Sequence, residues 1–241
     1  MIQLYGSLIF CHLLADFVLP VKKLSQKGLT DLAYSAIHVS LVILILLLSG
    51  DYDNYGIFKP VFLGVIFIEY LIIGLIRNTL AKKSKDHIVF IIEQAYHFMI
   101  LLTIAYFWDN NSYFYWDNDF FYSIIACATG IMGITLFSGK LMKLVTDDFI
   151  NQNVSLKEDI ESGLIEGGKY IGILERILIF IFILIDQPLA VGFLIAAKSL
   201  LRIESDPKHH RRMEYILVGT LFSFLLALLF SLFTKELLSG F

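Results

Sequence analysis

The feature that most constrains this 241-residue chain is a series of long apolar stretches that recurs from one end to the other. The hydrocarbon core of a bilayer is about 30 Å thick, and a helix needs about 20 apolar residues to cross it. Because lipid offers no hydrogen-bond partners, such stretches must satisfy their own backbone groups, as helices do. With 57% hydrophobic and only 17% charged residues, the chain is far more apolar than a soluble domain. We therefore predict an all-α, polytopic transmembrane bundle.

Eight apolar segments are predicted to be membrane spans. They cover residues 2–19, 32–49, 61–76, 88–107, 120–139, 170–185, 187–203 and 213–234. The sixth and seventh segments are nearly continuous and are separated at Asp186, Gln187 and Pro188. Proline does not fit a helix interior, so Pro188 indicates a tight turn between two antiparallel helices. A count that merged these two segments would give seven spans and would move the C-terminus to the opposite side.

The positions of the basic residues predict the orientation of the spans. Alternate loops, residues 20–31, 77–87, 140–169 and 203–212, hold every lysine and arginine outside the spans except Lys59 and Lys235. By the positive-inside rule these loops are cytoplasmic, and both termini lie on the extracytoplasmic side. In this arrangement residues 1–145 form a four-to-five-span bundle. Residues 146–168 form an acidic cytoplasmic linker, and residues 169–241 form a three-span region packed on the first.

Ionisable residues inside the predicted spans indicate a functional site. His12 and Asp16 are four residues apart in the first segment, and Glu93 and His97 repeat this spacing in the fourth. Residues i and i+4 share one face of a helix, so each pair points in one direction. His38 enters the second segment from the same side of the membrane. Such groups are costly in hydrocarbon and usually functional, and all five fall in the cytoplasmic leaflet.

These residue types suit a metal centre. The predicted ligands of a divalent metal, which we expect to be zinc, are His12, Asp16, His38 and His97. Imidazoles and a carboxylate are the ligands of catalytic zinc, which lowers the pKa of a bound water to about 7. Glu93 would then accept the proton of that water as general base. Alternatively, His12–Asp16 and Glu93–His97 are self-satisfied pairs that help the helices associate.

A second set of charged residues lies in the C-terminal segments. Arg176, Lys198 and Arg202 fall near the cytoplasmic side of the sixth and seventh segments. These cations could bind the phosphate of a membrane lipid, with Glu175 and Glu214 balancing their charge. The alternative is structural, because long basic side chains reach toward the interface and Glu175 can form a salt bridge with one of them.

Several of these residues fall in a recognisable pattern. The run HLLADFVL at residues 12–19, the later His38 and the run EQAYH at residues 93–97 resemble the bacterial membrane family of domain of unknown function 3307. Its pattern reads HLLxDFxLQ, a following His, and DQxxH, and this chain has Pro20 and Glu93 where Gln and Asp are usual. The resemblance continues in GILER at residues 172–176 and AAKS at residues 196–199. It implies that both polar sets belong to one recurring arrangement.

Taken together, these features predict a multi-pass protein of the bacterial inner membrane. We expect a metal-dependent hydrolase that acts on a lipid-like or amphipathic substrate at the cytoplasmic leaflet. The same buried groups could instead serve a proton- or cation-coupled transporter. A third alternative is a non-catalytic anchor or sensor that docks a cytosolic protein partner. The chain has no glycine-rich phosphate loop, no nucleophile elbow and no indication of direct nucleic-acid binding.

Overall fold

The structure is a computed structural model that describes residues 1–19, 30–48, 58–80, 84–111, 116, 118–151, 165–200 and 210–239. These residues form helices and turns, and no strand occurs among them, which confirms the predicted all-α class. The helices are α1 (Ile2–Leu13), α2 (Thr30–Leu48), α3 (Phe58–Leu80), α4 (Asp86–Asn111), α5 (Asp119–Met132), α6 (Ser138–Asn151), α7 (Ile165–Leu184), α8 (Pro188–Leu200) and α9 (His210–Ser239). Two π-helical turns, π1 (Leu14–Val18) and π2 (Gly133–Phe137), interrupt this series.

The end of the first helical segment has a clear local cause. In π1 the hydrogen bonds run from residue i+5 to residue i, and the Leu19 N–H donates to the Leu14 carbonyl at 3.1 Å. Leu19 then leaves the helix with φ −80° and ψ 131°. A proline disfavours helical geometry in the residue before it, and Pro20 follows directly. The sequence thus ends this segment close to the predicted residue 19.

Three helical stretches within the described ranges are long and apolar enough to cross a membrane. They are Asp86–Trp108, Asp119–Ile150 and Leu217–Ser239. Shorter apolar helices cover Ile2–Val18, Ser35–Leu48 and Pro188–Ser199. Large apolar side chains also cover the surface of the protein, with Leu189 and Phe193 on α8 exposed by 88% and 76%. Lipid is a better solvent than water for such a surface, so the protein associates with a membrane.

The predicted break between the sixth and seventh segments is present. α7 ends at Leu184, and α8 begins at Pro188. Asp186, between them, has a φ of 58°, a left-handed conformation that aspartate tolerates better than most residues. Pro188 stands at the first helical position, where its missing N–H breaks no helical hydrogen bond. The turn therefore follows directly from the residues that predicted it.

The chain folds into two compact units. The N-terminal unit comprises Met1–Thr129 with Leu237–Phe241, and the C-terminal unit comprises Gly130–Glu236. In the N-terminal unit α1 packs on α2 and α4, and α3 also packs on α2 and α4. In the C-terminal unit α7 packs on α8 and π2, and its core includes Ile179, Val191 and Phe224. The predicted linker residues 152–164 lie outside the described ranges.

Candidate metal centre

Three of the predicted metal ligands meet in the N-terminal unit. His12 lies at the end of α1, Asp16 in π1 and His38 in the middle of α2. All three side chains are buried, and one ligand atom from each lies within 4.8 Å of the other two. They come together because α1 packs against α2. In addition, π1 continues α1, and it keeps Asp16 on the same face as His12. The structure therefore brings two imidazoles and one carboxylate to a single point.

Gln94 of α4 bridges two of these side chains. Its side-chain Nε2 donates to Asp16 Oδ2 at 3.0 Å, and its Oε1 accepts from His12 Nε2 at 3.0 Å. An ionised aspartate has only acceptors, so the NH₂ group of the Gln94 side chain must face Asp16. Its side-chain carbonyl must then face His12. Gln94 therefore sets the relative positions of His12 and Asp16 from the neighbouring helix.

The other carboxylate oxygen of Asp16 is directed to His38. Asp16 Oδ1 lies 3.9 Å from His38 Nε2, which is too long for a hydrogen bond. Zinc–nitrogen and zinc–oxygen bonds of about 2.0–2.2 Å together span about 4.1 Å. Because this sum slightly exceeds the observed separation, an ion could bridge the two atoms at an angle wider than the tetrahedral one. The donor set thus suits a divalent cation in its chemistry.

His97, the fourth predicted ligand, lies beside this group and not within it. Its ring centroid is 4.7 Å from that of His12, and its side chain is buried. Its Nδ1 donates to Oε1 of Glu69, a buried residue of α3. The expected meeting of all four ligands is therefore only partly present, because α3 supplies a partner for His97.

Glu93, the predicted general base, is also buried on α4. It lies outside the group of His12, Asp16 and His38, and the contact from this part of α4 to His12 and Asp16 comes from the next residue, Gln94. A step of one residue turns a helix by about 100°, so neighbouring side chains point in different directions. The base role of Glu93 stays a prediction.

Two residues of this site, Glu69 and Gln94, are absent from the sequence-based predictions. Glu69 is a lone acid in the apolar segment 61–76, and such a residue is a functional candidate without any motif. Gln94 stands inside the run EQAYH, between Glu93 and His97. A neutral amide carries no charge that would mark it in an apolar segment, although it can join two charged or polar groups.

The second predicted set is only partly described. In the C-terminal unit the Arg176 Nε donates to the Ile134 carbonyl at 2.5 Å, and Nη1 donates to Ser223 Oγ at 2.9 Å. Lys198 and Glu175 form an ion pair at 2.5 Å, as the structural alternative expected. Arg202 lies outside the described residues. Glu214 belongs to α9, and its side chain is outside the described part of the structure.

Comparison with known proteins supports the resemblance seen in the sequence. A family model described as "Protein of unknown function (DUF3307)" matches residues 4–121. No curated protein and no solved structure gives a significant match to this chain. The matched range contains every residue of the candidate metal centre, namely His12, Asp16, His38, Glu69, Glu93, Gln94 and His97. Over residues 4–121 the chain is thus similar to the DUF3307 family.

Proposed function

We propose that this chain is a multi-pass protein of the bacterial inner membrane that binds zinc and hydrolyses a lipid-like substrate. The observation that carries the proposal is the meeting of His12, Asp16 and His38, three buried side chains whose ligand atoms lie within 4.8 Å of one another. Two imidazoles and one carboxylate are a donor set of catalytic zinc sites, which keep a further position open for water or substrate.

The cost of burial supports a bound cation. A carboxylate buried in a low-dielectric interior costs several kcal/mol unless an opposite charge compensates it. Gln94, which donates to Asp16, is a neutral residue, and His38, 3.9 Å away, is neutral when it serves as a metal ligand. A divalent ion between Asp16 and the two histidines would lower the cost of burying the carboxylate. When bound, zinc would polarise a substrate oxygen and make a bound water acidic.

The residues around the group support a reaction that transfers protons. Metal centres commonly depend on carboxylate–histidine and amide contacts that orient the ligands. Gln94 would hold His12 and Asp16 in place, and an ionised Glu69 would hold His97 with its Nδ1 as the donor. A neutral His97 then carries its lone pair on Nε2 and can accept a proton. His97 and Glu93 are the two candidates for general base, and the contact with Glu69 favours His97.

The predicted topology indicates which class of substrate could reach the metal centre. Eight spans with both termini outside would place the metal centre in the cytoplasmic leaflet, near the basic loops at residues 20–31 and 77–87. Basic segments at this depth attract anionic lipid headgroups. A substrate with an apolar tail and a polar headgroup could then reach the centre from the membrane. The proposed reaction is hydrolysis of such an amphipathic molecule.

The direct test is the metal content of the full-length protein purified in detergent. Wild type should carry one zinc ion per chain, and His12→Ala, Asp16→Asn and His38→Ala should each lose it while still folding. His87→Ala is the matched control, because His87 lies at the start of α4 outside the group, and it should keep its zinc. A well-folded wild type that neither contains nor takes up zinc would refute the proposal.

Transport is the second candidate, and one observation favours it. Asp16, Gln94 and His12 are joined by hydrogen bonds, His97 lies against His12, and Glu69 accepts from His97. Such rows of buried acids and imidazoles occur in the proton relays of transporters. Vesicles containing the purified protein would show a proton or cation flux, and Glu69→Gln would abolish it. Hydrolysis of added lipid without any flux would favour the first proposal.

A further inference from the structure

We propose that the C-terminal unit binds a phosphate group at Arg176. The Arg176 side chain is only 4% exposed, although arginine is among the residues that are rarely buried without a partner. A guanidinium group has five N–H donors. Nε donates to the Ile134 carbonyl, and Nη1 donates to Ser223 Oγ. The other donors of Nη1 and Nη2 have no acceptor among the side chains and backbone groups that the structure describes.

The charge of Arg176 also lacks a bonded counterion in the described part of the chain. Its two acceptors, a backbone carbonyl and a hydroxyl, are neutral. The adjacent Glu175 acts electrostatically on Arg176, but its carboxylate is bonded to Lys198, so it offsets the charge of Arg176 only in part. Hydrogen bonds to neutral groups satisfy donors, but they do not remove the cost of a buried charge. An anion beside Arg176 would do so.

The backbone around Arg176 is arranged to hold the guanidinium in place. In π2 the hydrogen-bond ladder is widened, and two of its carbonyls accept from side chains. Gly133 O accepts from Ser138 Oγ at 2.8 Å, and Ile134 O accepts from Arg176 Nε. π-turns are frequent at functional sites, and π1 carries Asp16 of the candidate metal centre. The guanidinium is thereby held in place by Ile134 and Ser223.

Two glycines leave space next to the free donors. A Cβ atom at Gly139 would lie 4.0 Å from Nη2, and one at Gly172 would lie 3.4 Å from Nη1. Apart from the chain neighbours and the nearby backbone of the same helix, no other described atom comes within 4 Å of either Cβ position. Neither glycine therefore places a side chain beside Nη1 or Nη2. Arginine binds phosphate or carboxylate oxygens through two parallel N–H groups, which is the geometry these donors offer.

The surroundings indicate how a phosphate would arrive. Ile171 and Leu174, which flank Gly172 on α7, are 55% and 60% exposed and present an apolar surface suited to lipid tails. The ligand is therefore a phosphate oxyanion, carried by a lipid headgroup or free in solution. This proposal does not depend on the metal centre, because its residues lie in the other unit and outside residues 4–121.

The test is native mass spectrometry of the full-length protein in detergent. One arm adds phosphatidylglycerol, and the other adds inorganic phosphate. Removal of a charge-assisted hydrogen bond costs about 1.5–3 kcal/mol, so Arg176→Gln should weaken binding about tenfold or more. Gly139→Ala keeps the guanidinium and its contacts but fills the space beside Nη2, so it should weaken binding severalfold. The matched control is Lys235→Gln, which removes a cation of the same unit that is paired with Asp186, and it should bind as wild type does.

The two arms distinguish the sources of the phosphate. If Arg176→Gln and Gly139→Ala lose binding only to phosphatidylglycerol, the site takes a lipid headgroup. If they lose binding only to inorganic phosphate, the site takes free phosphate. Loss in both arms identifies a site for the phosphate group in general. The proposal is overturned if wild type binds neither probe, or if Gly139→Ala and a folded Arg176→Gln bind both probes as tightly as wild type does. If Arg176→Gln does not fold, Gly139→Ala decides the question alone.

Discussion

The side-chain amide of Gln94 lies between Asp16 and His12, and it donates to Asp16 Oδ2 at 3.0 Å. This hydrogen bond joins α4 to π1 across 78 residues of sequence. It leaves Asp16 Oδ1 directed toward His38, 3.9 Å away. A neutral residue thus determines which oxygen of the carboxylate faces the candidate metal position.

Replacement of Gln94 should therefore weaken metal binding without removal of any ligand. Outer contacts of this kind typically contribute 10–100-fold to metal affinity, so Gln94→Leu should raise the zinc Kd by about that factor. Isothermal titration calorimetry in detergent measures it. Thr103→Val on the same helix is the control, since its hydroxyl donates to the Met99 carbonyl within α4. Equal zinc affinity in Gln94→Leu and wild type would show that the amide does not orient the ligands.

Bound zinc should also stabilise the fold. A ligand that binds only the folded state adds about 2.7 kcal/mol of stability at a free concentration 100 times its Kd. Thermal unfolding of wild type should therefore shift to higher temperature with added zinc and return after a chelator is added. His38→Ala should show no such shift, because one of the three grouped ligands is missing. A zinc-dependent shift of the same size in His38→Ala would contradict the assignment of the site.

The pair of Glu69 and His97 should behave as a coupled unit in stability. Glu69→Leu leaves the buried Nδ1–H of His97 without its acceptor, which should cost about 1–3 kcal/mol. Replacement of both partners by apolar residues removes the donor as well, so Glu69→Leu/His97→Leu should be more stable than Glu69→Leu. Denaturant unfolding of both single variants and the double variant gives the coupling energy. Additive effects would show that the contact contributes nothing.

Packing in the C-terminal unit makes a sharp prediction for two glycines. A Cβ atom at Gly133 would overlap the ring of Phe230, whereas one at Gly192 would meet nothing within 4 Å. Gly133→Ala should therefore cost about 1–3 kcal/mol by overpacking. Gly192→Ala in α8 should instead be neutral or stabilise by up to about 1 kcal/mol, because alanine favours the helix. Thermal unfolding of the two variants provides a matched comparison within one unit.

The predicted topology can be tested by labelling single cysteines. In a chain with Cys11 and Cys127 replaced by serine, Lys23→Cys and Lys83→Cys should resist a membrane-impermeant thiol reagent in intact cells. Asp53→Cys should react, because its loop is predicted to be extracytoplasmic. All three should react once the cells are opened. Labelling of Lys83→Cys in intact cells would place the basic loops outside and reverse the orientation.

Much of this architecture follows from the sequence because its causes are local. Long apolar stretches require helices in lipid, and Pro188 separates α7 from α8 because a proline does not fit the interior of a regular helix. The costly placement of His12, Asp16 and His38 in apolar segments also marks them as a group before any fold is known. Each of these inferences needs only the chemistry of a residue and its near neighbours.

The tertiary structure decided which side chains meet. Spacing along α4 pairs Glu93 with His97, yet the acceptor of His97 is Glu69, which lies 28 residues earlier on α3. Spacing in the first segment pairs His12 with Asp16, yet Gln94 stands between them. The geometry of a helix predicts the direction in which each of its side chains points. The residue that such a side chain contacts depends on which other helix packs against that face and on how far it is shifted along the axis. That choice results from packing along the whole length of both helices, and no local pattern contains it.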